Sequence, residues 1–326
     1  MPSRPVVIIG NGERRTIAQT LAWAESCKFP ILTTWGAMDL VPSDHPLNFG
    51  GFGVVGSRLG NKILFESDLI IPFGASLNQM QSGSAAWFHG KIDRALMQKG
   101  QEFYRLVTAE KDWVSRCNSW RFLKNIGTPY DVCPYKLVEE LNKYTKEGDI
   151  VVADAGANLC QTFQRIKVKK GMRVFTAFNF SPMGYSLPAA IGASLAQPGA
   201  RVVATIGDGG LLMCSGELAT VVRHTLPLKI LLFNNQGHSI QKQTMRTWLK
   251  DGRLHGADWD SGLGFPDYEK LADSFGIHYA RIDSNKGFYV LEQVMADKEP
   301  WLVDVRIDPE STIVPFLKAG QKLEDI

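Results

Sequence analysis

The sequence lacks the features that mark several classes of protein. Its five cysteines are odd in number and irregularly spaced, so they indicate reduced thiols in a cytoplasmic protein rather than a disulfide framework. No apolar run reaches the length of a membrane-spanning helix. The net charge of +3 is too small and too scattered for a nucleic-acid partner. These absences leave a folded protein that acts on a small molecule, in agreement with its 44% hydrophobic and 21% charged residues.

A dinucleotide fingerprint is also missing. The first glycine-rich turn, Gly10-Asn11-Gly12, follows an apolar segment but lacks the third glycine of that motif. The sequence therefore gives no reason to place a nucleotide against this turn. A plain nucleotide-binding α/β protein nevertheless remains an alternative at this point.

Short apolar segments alternate with helical patterns in the first third of the chain. Residues 5–10, 30–33 and 68–74 have the composition of buried parallel strands. This alternation predicts a doubly wound α/β domain. No clear strand follows between residues 79 and 129, so the predicted domain, residues 1–126, is a shortened one.

The same alternation is clearer after residue 134. Strands are predicted at residues 150–154, 202–207, 228–233 and 301–307, and helices at residues 134–144, 187–196 and 266–275. Pro266 is predicted to start the last of these helices. Residues 135–326 should therefore form a second domain, and the predicted fold class is α/β, with two doubly wound domains on parallel sheets.

Two polar residues follow consecutive strands of the second domain. Asp208 leaves one predicted strand, and Asn235 follows the next along the chain. A right-handed crossover makes these strands parallel, so both side chains belong at the sheet edge where α/β folds bind ligands. One carboxylate and one amide suit Mg²⁺ shared with phosphate oxygens better than they suit zinc. Gly207, Gly209 and Gly210 would let backbone N–H groups approach a phosphate.

The same residues have a simpler explanation, because Asp-Gly and Asn-Asn pairs are common in ordinary turns. Either pair alone therefore predicts little. Their occurrence together, after two consecutive strands, favours a diphosphate and magnesium site.

The segment from Gly207-Asp208-Gly209 to Asn234-Asn235 resembles the signature of thiamine-diphosphate-dependent enzymes of the acetolactate synthase type. Residues 181–193 resemble the stretch that cradles the aminopyrimidine ring in that family, and residues 266–277 are similar to its late helix. Residues 1–75 resemble its middle domain more loosely. The resemblance implies a middle domain followed by a domain that binds thiamine diphosphate and Mg²⁺.

Matching positions imply the roles of individual residues. Asp208, Asn235 and the Gly237 carbonyl would hold the magnesium ion. The residues implied to contact the cofactor are Gly156, Ala157, Met183, Gly207, Gly209, Gly210, Met213 and His238. Met183 would hold the two rings of the cofactor in their bent conformation, although a methionine is by itself an ordinary core residue. Ile240 and Gln241 would line the substrate pocket.

Three departures from the family bear on activity. The pyrimidine-binding domain, whose glutamate activates the cofactor, is not recognisable, so no catalytic residue is assigned and the chain is expected to be inactive without it. The region after residues 68–74 departs from the family's middle domain, so FAD is not expected. Gln241 stands near an acid of the decarboxylases, and Thr244 stands about where branched-chain enzymes carry a specificity tryptophan.

The function predicted from these features is a fragment or subunit of a carboligase that acts on a 2-keto acid. A pyrimidine-binding domain or subunit acting in trans would complete it, and the protein is expected to form homo-oligomers. The alternative is a non-catalytic paralogue that keeps the cofactor pocket. The sequence does not separate these two hypotheses.

Overall fold

The computed structural model describes residues 2–83, 107–123, 131–178, 180–249 and 251–316. The chain divides into two compact units, Met1–Ile126 with Val314–Ile326, and Gly127–Ile313. Residues 84–106 and 124–130 lie outside the described ranges, and most of the region from 79 to 129 in which no strand is predicted falls there. Within residues 107–123 the structure contains a helix.

The first unit is built on a four-stranded sheet whose strand pairs are all parallel. Its strands are β1 (Pro5–Ile9), β2 (Ile31–Thr33), β3 (Asn48–Gly51) and β4 (Leu69–Phe73), in the order β3-β2-β1-β4. Its helices are α1 (Ile17–Cys27), α2 (Arg58–Glu66), α3 (Gln79–Ser82) and α4 (Trp113–Ser119), with 3₁₀ turns at Asn11–Arg15 and Trp35–Leu40. Alternate residues of β1 belong to different core clusters, so the sheet is covered on both faces.

Two elements of this unit do not follow from the hydrophobic pattern. Strand β3 has the sequence Asn-Phe-Gly-Gly, which has weak strand propensity, and it is held at the sheet edge beside β2. Helix α4 carries Trp113, which is fully buried and donates its indole N–H to the Pro5 carbonyl at 2.8 Å. Tertiary contacts, rather than local propensity, therefore place both elements.

The glycines that follow β1 and β4 pack against one another. A Cβ atom on Gly10 would lie 2.1 Å from the Gly74 carbonyl oxygen, and one on Gly12 would lie 2.8 Å from the Gly74 Cα. Gly10 and Gly12 also donate backbone hydrogen bonds to the Phe73 and Gly74 carbonyls, at 2.8 and 3.0 Å. These glycines serve the close approach of two turns.

The second unit contains a six-stranded sheet, again with every pair parallel. Its strands are β5 (Ile150–Ala153), β6 (Arg173–Phe175), β7 (Val202–Gly207), β8 (Lys229–Asn234), β9 (His278–Ile282) and β10 (Trp301–Arg306), in the order β6-β5-β7-β8-β10-β9. Strands β5 and β8 are buried along their whole length, in agreement with the apolar sequence of β5 and with the apolar residues between Lys229 and Asn234 in β8. The predicted fold class, two α/β domains on parallel sheets, is confirmed.

Eight helices are described in this unit. They are α5 (Pro134–Tyr144), α6 (Ala157–Arg165), α7 (Ser186–Ala196), α8 (Asp208–Cys214), α9 (Leu218–Arg223), α10 (Ser239–Trp248), α11 (Tyr268–Phe275) and α12 (Val290–Ala296), with 3₁₀ turns at Ser215–Glu217 and Asn285–Tyr289. The prediction that Pro266 starts α11 is wrong by two residues. Asp267 is the N-cap, and its carboxylate accepts from the backbone N–H groups of Glu269 and Lys270 at 3.1 and 3.2 Å, which fixes the start of the helix.

The strand order fixes where a ligand can enter this sheet. The chain passes from β5 outward to β6 and then returns to the other side of β5 for β7. The helices that follow β5 and β7 therefore leave in opposite directions, and a crevice opens between the carboxyl ends of these two strands. The polar residues predicted to form a site lie at this edge.

Candidate functional site

A cleft at the carboxyl edge of the second sheet gathers nearly all of the predicted site residues. Those that line it are Gly156, Ala157, Met183, Gly207, Asp208, Gly209, Gly210, Asn235, Gly237, His238, Ile240 and Gln241. They come from the ends of β5, β7 and β8 and from the loop before α7. The fold therefore brings together residues that are far apart in the sequence.

Asp208 lies at the bottom of the cleft as the first residue of α8. It is 1% exposed, and its two carboxylate oxygens accept from the backbone N–H groups of Gly209 at 2.7 Å and Gly237 at 3.1 Å. Burial raises the pKa of this carboxyl group to about 6, because these backbone bonds only partly replace its hydration. A bound cation would stabilise the ionised form of such a buried carboxyl group.

Asn235 follows β8 and is 6% exposed in the same cleft. Its side-chain N–H₂ group donates to the Ser239 hydroxyl, so its carbonyl oxygen is left for other partners. The described part of the chain contains no cluster of three or more His, Cys, Asp or Glu side chains that could hold a metal ion. One carboxylate, one amide oxygen and a nearby backbone carbonyl fit a hard cation that takes its remaining ligands from phosphate and water.

Side chains fill the space beside the glycines that follow Asp208. A Cβ atom on Gly209 would lie 2.2 Å from the His238 Cε1 atom, and one on Gly210 would lie 2.3 Å from an Asp154 carboxylate oxygen. Gly156 has a φ of 117° and precedes the first turn of α6. The first N–H groups of a helix have no partner within the helix, so those of α6 are available to an anion.

Asp154 is a residue of this site that the sequence reasoning missed. It follows β5, is fully buried, and accepts from the backbone N–H groups of Gly184, Tyr185 and Ser186 at 3.0, 2.7 and 2.9 Å. Burial raises the pKa of this carboxyl group despite these hydrogen bonds. Asp154 thereby holds the loop that carries Met183 against the sheet. Its position after a buried strand, like that of Asp208, was the signal available in the sequence.

Met183 and Met213 differ in position. Met183 lines the cleft, and its terminal methyl carbon Cε would lie 3.3 Å from a Cβ atom on Gly209. Met213 does not line the cleft and is 63% exposed. Its Cβ atom lies beside Gly184 at the rim. The structure therefore does not bring Met213 together with the other predicted residues.

His238, Ile240 and Gln241 line the side of the cleft formed by the start of α10. The His238 ring lies over Gly209, and burial lowers the pKa of this histidine, which favours the neutral ring. A neutral imidazole offers one donor and one acceptor to a ligand. Further lining residues that the sequence reasoning did not single out are Ala155, Asn158, Gln161, Ser181, Phe233, Ser239 and Ile307.

A second cavity lies behind the loop that carries Asn235. Asn234 and Gln236 line this cavity, whereas Asn235 and Gly237 line the cleft. The Asn234 amide donates to the buried carboxylate of Asp304 at 2.8 Å. The residues of this loop therefore face the cleft and the second cavity in alternation.

The fold and the cleft define an α/β protein whose ligand site lies at the topological switch point of a parallel sheet. Residues 154–305 match the thiamine pyrophosphate enzyme C-terminal TPP-binding domain, and residues 2–98 match the central domain of the same enzymes. The chain belongs to the thiamine pyrophosphate enzyme family, which confirms the resemblance found in the sequence.

Its relatives include the large subunits of acetolactate synthases. The chain is 29% identical to the probable acetolactate synthase large subunit of Methanocaldococcus jannaschii over 99% of its own length and 60% of the relative. It is 27% identical to the isozyme 1 large subunit of Escherichia coli over 97% of its length and 61% of the relative. The chain therefore spans about 60% of the length of these curated relatives. Within the described ranges, no helix is both long enough and apolar enough to cross a membrane.

Proposed function

We propose that residues 1–326 contribute the diphosphate-binding half of an acetolactate synthase-like site that uses thiamine diphosphate and Mg²⁺. The buried pair Asp208 and Asn235, in a glycine-lined cleft at the switch point, carries this proposal. Asp208, Asn235 and the Gly237 carbonyl would hold the ion. Gly156 and Ala157 would present backbone N–H groups to the diphosphate.

Bound thiamine diphosphate supplies a carbon nucleophile that attacks the carbonyl group of a 2-keto acid and accepts the electrons released by decarboxylation. The chain's own residues bind and orient this group. Met183 would pack under it, and the Asp154 hydrogen bonds keep the Met183 loop in place. Burial lowers the pKa of His238, which disfavours a second full charge beside the proposed ion.

The proposed reaction is carboligation, because the side chains at this position of the cleft do not supply the proton that release of an aldehyde needs. The acyl unit left by decarboxylation either takes a proton and leaves as an aldehyde, or is transferred to a second carbonyl compound. Gln241 lines the cleft and can hydrogen-bond, but its amide has no acidic proton to deliver. Ile240 beside it excludes water. Both side chains favour transfer to an acceptor.

The other half of the site is proposed to come from a pyrimidine-binding domain supplied by another segment or another chain, within a homo-oligomer. Exposed apolar side chains near the cleft support this arrangement. Phe180 is 94% exposed next to Ser181, which lines the cleft, and Met213 is exposed at the rim. Residues 1–326 alone are proposed to bind the cofactor weakly and to be inactive, because the glutamate that activates the aminopyrimidine belongs to that domain.

The test is exchange of the reactive cofactor proton for deuterium, followed by NMR. Residues 1–326 with Mg²⁺ and thiamine diphosphate should exchange it no faster than the free cofactor, and addition of the pyrimidine-binding domain should accelerate exchange. Faster exchange by residues 1–326 alone than by the free cofactor would contradict the proposal that a separate domain supplies the activating half of the site. Binding without acceleration after reconstitution would instead support a non-catalytic paralogue.

The reaction type has its own test. Incubated with pyruvate, the reconstituted protein should yield acetolactate or acetoin as the main product. Acetaldehyde as the dominant product would contradict the role given to Gln241 and Ile240.

A further inference from the structure

The first two turns of α6 place two amide side chains in the cleft besides the residues discussed above. Asn158 and Gln161 both line it, and they are 3% and 2% exposed. The helix starts at Gly156 and Ala157, whose backbone faces the proposed diphosphate position. Residues three and four positions apart share one face of a helix, so Gln161 lies one turn behind Ala157 and Asn158.

The Asn158 amide is committed to the protein. Its nitrogen donates to the backbone carbonyls of Asp154 and Thr205, each at 3.1 Å. Because both amide hydrogens are used, Asn158 ties the start of α6 to strands β5 and β7. It has no further donor to offer a ligand.

The Gln161 amide has no such commitment. Within the described residues, its side chain makes no hydrogen bond, although the residue as a whole is only 2% exposed. Its amide atoms are not among the enclosed polar atoms that lack a partner, so they reach the open space of the cleft that Gln161 lines. An amide that is held in a ligand cleft and has no partner within the protein is available to donate to a ligand.

We infer that Gln161 is a further binding residue for the diphosphate group, donating from its side-chain N–H₂ to a phosphoryl oxygen. Phosphoryl oxygens only accept hydrogen bonds, so the Gln161 nitrogen rather than its oxygen faces them. The α6 backbone N–H groups and Gln161 then approach the anion from the same helix. This inference rests on the proposed function, since it takes thiamine diphosphate as the ligand.

The test compares Gln161→Leu and Gln161→Glu with the unmodified chain. Titrations use Mg²⁺ with thiamine diphosphate, Mg²⁺ with inorganic pyrophosphate, and thiamine without phosphate. Gln161→Leu should weaken both phosphorylated probes about tenfold, the lower end for a hydrogen bond to a charged group. Gln161→Glu, which keeps the shape but adds a negative charge, should weaken them further. The affinity for thiamine should be the same in all three proteins.

A second readout separates this role from a structural one. Gln161→Leu breaks no hydrogen bond within the described part of the chain, so the ligand-free variant should not melt at a lower temperature than the unmodified chain. Gln293→Leu, on the exposed face of α12, is the matched control and should not change the affinity for either phosphorylated probe.

Two results would overturn the inference in different ways. Equal affinities of the Gln161→Leu variant and the unmodified chain for both phosphorylated probes would exclude Gln161 from the diphosphate site and leave the proposed function standing. Failure of the unmodified chain to bind either phosphorylated probe would overturn the proposed function, and the role of Gln161 with it.

Discussion

The turns that follow β1 and β4 in the first unit and those that follow β5 and β7 in the second are both rich in glycine. In the first unit, Gly10 and Gly12 press against the backbone of Gly74 and close the sheet edge between them. In the second, Gly156 and Gly209 line an open cleft. The same residue type at the same place in a parallel sheet therefore gives a packed edge in one unit and a ligand site in the other.

Buried polar side chains account for this difference. Asp154 and Asp208 follow strands of the second sheet, and their carboxylates hold neighbouring turns through backbone N–H groups at fixed separations. In the first unit, by contrast, glycine backbones contact each other directly. Glycine permits a close approach, and the charged neighbours determine whether a ligand or another turn occupies the space.

The largest effect should come from removing the acid that distinguishes the second edge. We predict that Asp208→Ala weakens binding of Mg²⁺ with thiamine diphosphate at least a hundredfold, or about 2.7 kcal/mol. The ion loses its charged ligand, while the fold should persist by circular dichroism. Calorimetric titration measures the loss, and Asp273→Ala on the exposed face of α11 is the control. An unchanged affinity would show that the second edge does not bind the cofactor through this acid.

The next largest effect is expected on the stability of the first unit, at the sheet edge where Gly10 contacts Gly74. Gly10→Ala places a Cβ atom 2.1 Å from a backbone oxygen that cannot rotate away. It should lower the free energy of unfolding of the first unit by about 3 kcal/mol. Urea denaturation measures this cost, and cofactor affinity should not change. As a control, Gly192→Ala lies in α7 with nothing within 4 Å of the added atom, and it should stabilise the protein by up to about 1 kcal/mol.

The pH should change the affinity of the cleft in the second unit for Mg²⁺ with the cofactor, through Asp208. Its carboxyl pKa is raised from 3.8 to about 6, so protons compete with Mg²⁺ below about pH 6. The affinity for Mg²⁺ with the cofactor should fall about tenfold per pH unit there, because one proton replaces the ion. Without ligand the sign reverses. The free energy of unfolding should fall as the pH rises from 3.8 to about 6, because the carboxyl group ionises in the unfolded chain while the buried one keeps its proton. Both trends should be absent in Asp208→Asn, and their persistence would assign them to another group.

The smallest effect is expected from a glycine of the open edge. Gly209→Ala meets the His238 ring at 2.2 Å, but that ring is the end of a side chain that can rotate. The stability cost should be only about 1 kcal/mol. Cofactor affinity should fall more than stability does, because the displaced ring enters the cleft. A stability loss as large as that of Gly10→Ala would remove the distinction between the two edges.

Much of this organisation follows from the sequence, and the exceptions have physical causes. The long apolar strands β7 and β8 and their polar exits were predictable, because burial on both faces leaves unbroken hydrophobic runs. Helix α10 was missed, since it is polar along most of its length and its only buried residue is Lys242. Strand β9 was also missed, because it is a partly exposed edge strand of mixed composition.

The candidate site divides in the same way. Asp208 and Asn235 were predictable because each follows a recognisable strand. Gln161 was not, because a glutamine in the second turn of a helix is ordinary in sequence. Its significance comes from burial without a partner, which only the folded chain reveals. Met213 was placed near the cofactor by resemblance alone, and its exposure follows from its position on the outer side of the short helix α8.

The loop at residues 234–237 separates the cleft from the second cavity. Asn235 belongs to the cleft, while Asn234 is held from the far side by Asp304, which also accepts from the Tyr279 hydroxyl at 3.0 Å. A substitution or a small molecule in the second cavity is therefore expected to move Asn235 without entering the cleft. Because Asn235 is a proposed ligand of the ion, such a change would alter the affinity for that ion although no side chain that lines the cleft is replaced.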